Sequence, residues 1–161
     1  MALGDLYVLN NAICGFAAVD AKGVRGTTDI DLSQAINKVQ LSFENHVTDA
    51  EYTFGHNGRR RGISDKYDCT VNITFYVDGF GDGTLDSTWT AFLPPPFGSG
   101  TGRVGFTFAP SSGTISKDNP AFKGTLVASS WEPFGDGEAG GIIQQTRTFM
   151  TDGNVEKIVT S

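Results

Sequence analysis

The sequence predicts an all-β chain, a β-sandwich or partly closed barrel with one short flanking α-helix, and three observations carry that reading. Twenty-one glycines and twelve phenylalanines in 161 residues suit short strands joined by tight turns. Residues 68–77, DCTVNITFYV, alternate strictly: Cys69, Val71, Ile73, Phe75 and Val77 share one face, and Thr70, Asn72, Thr74 and Tyr76 the other. That is the pattern of a half-buried strand. One segment has near-helical spacing, Leu85, Trp89, Phe92 and Leu93, and Pro94, Pro95 and Pro96 stop it.

A single domain over 1–161 is expected, because a chain of this length buries enough surface for one core. Residues 1–36 read as an extended segment. Its start lacks the basic residues and unbroken apolar run of a secretory signal, and no stretch of the sequence approaches the roughly 18 apolar residues of a membrane span. In NKVQLSFENHV, Val39, Leu41 and Phe43 oppose Lys38, Gln40, Ser42 and Glu44, a strand that pairs with 68–77 as a hairpin. The connection between them, about 49–65, is far longer than the two to five residues usual for hairpins, so it calls for a function of its own.

After the glycine-rich DGFGDG the helix spans about 85–93, with Asp86 in its first turn, where a carboxylate favours the helix dipole. RVGFTFAP alternates again, with Val104, Phe106 and Phe108 on one face, and AFKGTLVASSWEP supplies a further strand. GIIQQTRTFMT, a DGN turn and VEKIV read as a closing hairpin, with Arg147 sharing parity with Phe149.

Chemical motifs are sparse. His46 and His56 have no metal-binding spacing, Cys14 and Cys69 form no CxxC pair, and neither a G-x-S-x-G elbow nor a phosphate loop occurs. The cysteine usage fits a chain made in a reducing compartment. No catalytic residue, cofactor or metal is expected. Asp78, Asp82, Asp86, Asp136 and Glu138 sit among glycines as turn residues, and whether such loops take calcium is left open. Trp89, Trp131 and the periodic phenylalanines read as core rather than as a stacking platform for sugars or bases.

The formal net charge is −6, which opposes general affinity for nucleic acid, since phosphate binding depends on clustered Lys and Arg. Against that balance stands EYTFGHNGRRRGISDKYDC, in which Arg59, Arg60 and Arg61 are gathered in the long connection.

The order of these features, from Asn37 to Ile158, resembles the tail tube (major tail) proteins of long-tailed bacteriophages. GRRRGISDKYDCTVNITFYVDG leading into the helix, and NPAFKGT with SSWEP feeding GIIQQTRTFMTDG, carry the likeness. The resemblance implies a β-sandwich with a flanking helix, assembled with copies of itself into stacked hexameric rings through which the genome passes. DNA then slides through without specific binding, and the uncharged Thr70, Asn72 and Thr74 become candidate lumen-facing residues. It also implies that the 49–65 loop contacts adjacent subunits and the next ring, with Arg59, Arg60 and Arg61, Asp49 and Glu51 as its charged groups. Further implied partners are the tail terminator, tape measure and distal tail proteins. Localisation would be the virion tail, after synthesis in the host cytoplasm, without membrane anchoring. The alternative is a monomeric β-sandwich module that binds glycan or a host surface.

Overall fold

The structure, a computed structural model, describes residues 11–50, 61–81, 84–134 and 137–160, with the backbone alone for 47–50 and 61–67. Its strands are β1 (Ile13–Ala18), β2 (Ile30–Asp31), β3 (Ile36–Ala50), β4 (Arg61–Tyr76), β5 (Arg103–Ala109), β6 (Ala121–Val127), β7 (Gln144–Met150) and β8 (Glu156–Ile158). The helix α1 (Leu85–Phe92) lies between β4 and β5. All strand pairs are antiparallel, in one sheet ordered β2-β1-β5-β6-β8 and another ordered β3-β4-β7. The expected all-β fold with one helix is therefore present.

The alternation in β4 is realised as read. Cys69, Val71, Ile73 and Phe75 are buried and face the other sheet, where Phe16, Val104, Phe106, Phe108 and Leu126 complete the core. Strand β5 departs from simple alternation because its second face is buried too. Arg25 lies across Gly105 and donates to Thr107 Oγ1 at 2.6 Å, while Thr107 donates to Asp29 at 2.8 Å. A Cβ at Gly105 would stand 2.6 Å from Arg25 Nε, so only glycine leaves room for that arginine.

The helix closes the sandwich. Its Leu85, Trp89 and Phe92 are buried, and the Trp89 ring lies 5.9 Å from Phe16, 5.4 Å from Phe75 and 5.2 Å from Phe149, thus touching both sheets. Asp78 accepts the Leu85 N–H at 2.8 Å, and Asp86 in the first turn accepts Trp131 Nε1–H at 2.7 Å. At the other end the glycine-rich loop folds back, Gly100 N–H bonding the Leu93 carbonyl at 2.8 Å and Gly102 N–H that of Phe92 at 3.0 Å. These bonds satisfy carbonyls that a helix terminus otherwise leaves bare.

Three sequence expectations are corrected. The 1–36 segment holds β1, which lies inside its sheet between β2 and β5. Its apolar run ICGFAA is covered on both faces and so lacks alternation. The 49–65 connection is shorter than read, since Asp49 pairs with Gly62 and Ala50 with Arg61, leaving only 51–60 outside the described residues. Finally, β7 and β8 form no hairpin, because β7 pairs with β4 and β8 with β6. Thr151 bridges to Leu126, Asp152 N–H bonds the Thr125 carbonyl at 2.8 Å, and Gly153 turns at φ 83°, carrying the chain across to the second sheet.

Trp89→Ala should destabilise the fold by about 3–5 kcal/mol in urea unfolding, as expected for emptying a buried aromatic site. Phe97→Ala, at a side chain 77% exposed, should change stability by less than about 0.5 kcal/mol.

Candidate functional site

The outer face of the three-stranded sheet is built from rungs that the register places side by side. Lys38, Thr74 and Thr146 form one rung, Gln40, Asn72 and Thr148 the next, and Ser42, Thr70 and Met150 the third. The predicted Thr70, Asn72 and Thr74 are thus brought together on one surface. Thr74 Oγ1 and Thr146 Oγ1 share a hydrogen bond of 2.9 Å, and the Thr148 hydroxyl donates to the Asn72 side-chain oxygen. Between Lys38 at one end and Glu44 and Asp68 at the other, the face carries hydroxyl and amide groups and one thioether, with no charge. Thr74 is the exception in exposure, since its neighbours leave it only 6% accessible.

Sequence reading missed Thr146 and Thr148. Their signal was present in QQTRTFM, where Gln144, Thr146 and Thr148 alternate with Gln145, Arg147 and Phe149. It was masked because two polar residues sit on the inward side. Gln145 is buried and donates to the Glu132 carbonyl at 2.6 Å, and Arg147 is half-buried and pairs with the Glu132 carboxylate.

Beyond Cys69, β4 has only β3 beside it among the described strands, so Glu44–Ala50 and Arg61–Asp68 form a two-stranded ribbon that continues past the three-stranded sheet. His46 Nε2 lies 2.8 Å from Asp68 at its root. Asp49 and Arg61 belong to this ribbon rather than to a loop. Glu51, Arg59 and Arg60 lie outside the described residues, between the ribbon's two strands in sequence.

Neither thiol is poised as a nucleophile. Burial, reinforced by the nearby Asp31 carboxylate, pushes Cys14 up to about 11, and burial raises Cys69 although a hydrogen bond with Thr151 works the other way. Both are thus protonated at neutral pH, whereas reactive cysteines need a lowered pKa. Among the described residues no cluster of three or more His, Cys, Asp or Glu is arranged to hold a metal, and no helix is long and apolar enough to cross a membrane. Compared with known proteins, the chain matches no protein-family model and no curated relative.

Because Cys14 titrates higher in the folded protein than its ordinary value of 9.0, its contribution to stability is complete below about pH 9 and is lost as pH rises through about 11. Cys14→Ser should remove that loss, so the stability difference between parent and variant should narrow by about 2–3 kcal/mol over this interval, measured by chemical unfolding at each pH.

Proposed function

We propose that this chain is a structural subunit that assembles with copies of itself into stacked hexameric rings, forming the tube of a phage tail through which the genome leaves the virion. The observation that carries this reading is the uncharged, hydroxyl- and amide-rich outer face of a sheet whose β3 edge is open. Among the described residues β3 is bonded on one side only, so a sheet from another copy can continue it. Joined around a ring, such faces make a wetted wall. With −6 on each copy, a ring of six carries about −36 and repels phosphate instead of gripping it.

The β3–β4 ribbon supplies the reach between copies. It extends for nine residues of β4 beyond the last pair with β7, which is roughly 30 Å of strand, and the three arginines lie at its end in sequence. Arginine suits this position because its planar fork bonds carboxylates in bidentate fashion and fixes register between partners. The tail terminator, tape measure and distal tail proteins then meet the two ends and the bore of the tube.

The second reading, a monomeric module for glycan or a host surface, draws on one observation. Phe80 and Phe134 are both exposed, with ring centroids 5.9 Å apart. Size-exclusion chromatography and negative-stain microscopy of the purified chain separate the two: rings or tubes are expected, and a lone species of 17.1 kDa at all concentrations refutes self-assembly. The triple variant Arg59→Ala, Arg60→Ala, Arg61→Ala should remain a folded monomer that no longer polymerises; normal tubes from it would remove the latch role.

The bore assignment has its own check. Lysines at Thr70, Asn72 and Thr148, introduced in phage, should slow ejection or arrest DNA in the tube, while leaving Thr74 unchanged keeps the buried position intact. Ejection at the parental rate would place the bore elsewhere.

A further inference from the structure

The net charge of the chain is concentrated in two stretches. Residues 77–102 and 128–146 contain six carboxylates and no Lys or Arg, which leaves twelve acidic and twelve basic residues in the rest of the sequence. The fold brings these stretches together at the end of β4 away from the ribbon, where the Val77 N–H bonds the Ile143 carbonyl at 3.0 Å and Asp86 accepts the Trp131 N–H. Phe80, Phe134 and Ile142 stand there, each more than half exposed, and the Phe80 and Phe134 rings lie 5.9 Å apart. The connection that carries Phe134 and Ile142 is folded on itself: Gly137 N–H bonds the Phe134 carbonyl at 3.1 Å, and Gly141 N–H that of Glu138 at 2.9 Å. Glu132 is paired with Arg147, so the described carboxylates that give this patch its charge are Asp78, Asp86 and Glu138, of which Asp78 and Glu138 are exposed. Exposed aromatics among carboxylates mark a surface for a partner.

We infer that this patch receives the ribbon end of a second copy, in a head-to-tail contact along the axis of β4. That strand runs from Arg61 to Tyr76, and its two ends, about 50 Å apart, differ in sign. At its start the backbone of Arg61 is paired with Ala50 at the far end of the ribbon, and Arg59 and Arg60 precede it in sequence. Just past its finish come Asp78 and Phe80. A strand of this length holds the two ends apart within one copy, so their match is made between copies. Arginine fits the patch twice over, because its guanidinium plane stacks on aromatic faces and its fork bonds carboxylates. The two surfaces differ, so the contact is heterologous: each copy receives at one end and donates at the other, and the series need not close. Such a contact joins one ring to the next, and the inference rests on the self-assembly proposed above. Ring closure through the β3 edge uses a different surface.

Two variants of the full chain test it. The patch variant carries Phe80→Ser and Phe134→Ser and keeps its arginines; the ribbon variant carries Arg59→Ala, Arg60→Ala and Arg61→Ala and keeps its patch. Under conditions in which the parent forms tubes, each variant alone should form none, with circular dichroism unchanged. Mixed in equal amounts, they should join through the one intact ribbon and the one intact patch. The product should contain both variants in equal number and stop growing, read by sedimentation velocity, with no tubes in negative stain. In an otherwise parental chain Glu138→Arg, at an exposed position, should shorten the tubes several-fold at low salt. Normal tubes from the patch variant, or no association in the mixture, would overturn the inference and leave self-assembly standing. A parent that remains a lone species removes self-assembly as well and leaves Phe80 and Phe134 to the glycan reading. Should the patch variant fail to fold, Glu138→Arg decides, since tubes of parental length from it refute the contact.

Discussion

Two sheets of unequal width must cover one another, and that mismatch organises the molecule. The five-stranded sheet presents Phe16, Val104, Phe106, Phe108 and Leu126 inward from its central strands β1, β5 and β6, and a sheet of only three strands faces it. A flat pairing would leave part of the wider sheet in water, at a cost of about 25 cal/mol per Å² of apolar surface. Trp89 resolves most of this by placing one large ring against Phe16 on one sheet and Phe75 and Phe149 on the other. For that ring to enter, the helix must stop after Phe92, and the loop through Gly100 must approach closely enough to bond the terminal carbonyls. A Cβ at Gly100 would lie 2.3 Å from the Phe92 carbonyl oxygen, which excludes every other residue there.

The same mismatch decides which edges of the sheets are guarded. In the wide sheet the outermost strands β2 and β8 are two and three residues long, too short to template another chain. In the narrow sheet β7 turns Gln145 and Arg147 inward, and an inward charge discourages strand addition. Strand β3 has neither device between Lys38 and His46, where its pairing with β4 is regular and the irregularities fall at the two ends. An edge left unguarded while the others are blunted is the one at which added strands meet least resistance. The proposed self-assembly would use this edge.

How much of this was legible in sequence depended on how many faces each strand buries. β4 has one wet and one dry face, so its alternation announced both its register and its polar surface. β1 is covered on both faces, and a run such as ICGFAA carries no periodicity to read. The ribbon fails for the opposite reason. Beyond the end of β7 the arm has two strands only among the described residues, so it needs no apolar alternation, and the pattern fades after Phe43 although the pairing continues to Ala50. The β7–β8 connection looked like a hairpin because DGN is a good turn. What sends the strands to different sheets is tertiary: the Leu126–Thr151 bridge and the Arg103–Asp152 ion pair at 2.6 Å, neither visible in local sequence.

The position of the arginines follows from the same geometry. On the outer face of the narrow sheet a cluster of cations would trap phosphate, and there the rungs through Asn72 and Thr70 carry none. Within the sandwich, unpaired cations would bear the desolvation penalty of buried charge; Arg147, on the inner face of β7, enters it only with Glu132 as its partner. Among the described elements the ribbon belongs to neither surface, and the backbone of Arg61 stands at its far end, paired with Ala50. Basic charge is thereby kept off the middle rungs of the polar face. In the proposed tube, copies that each bear −6 would offer acidic surfaces to such charge.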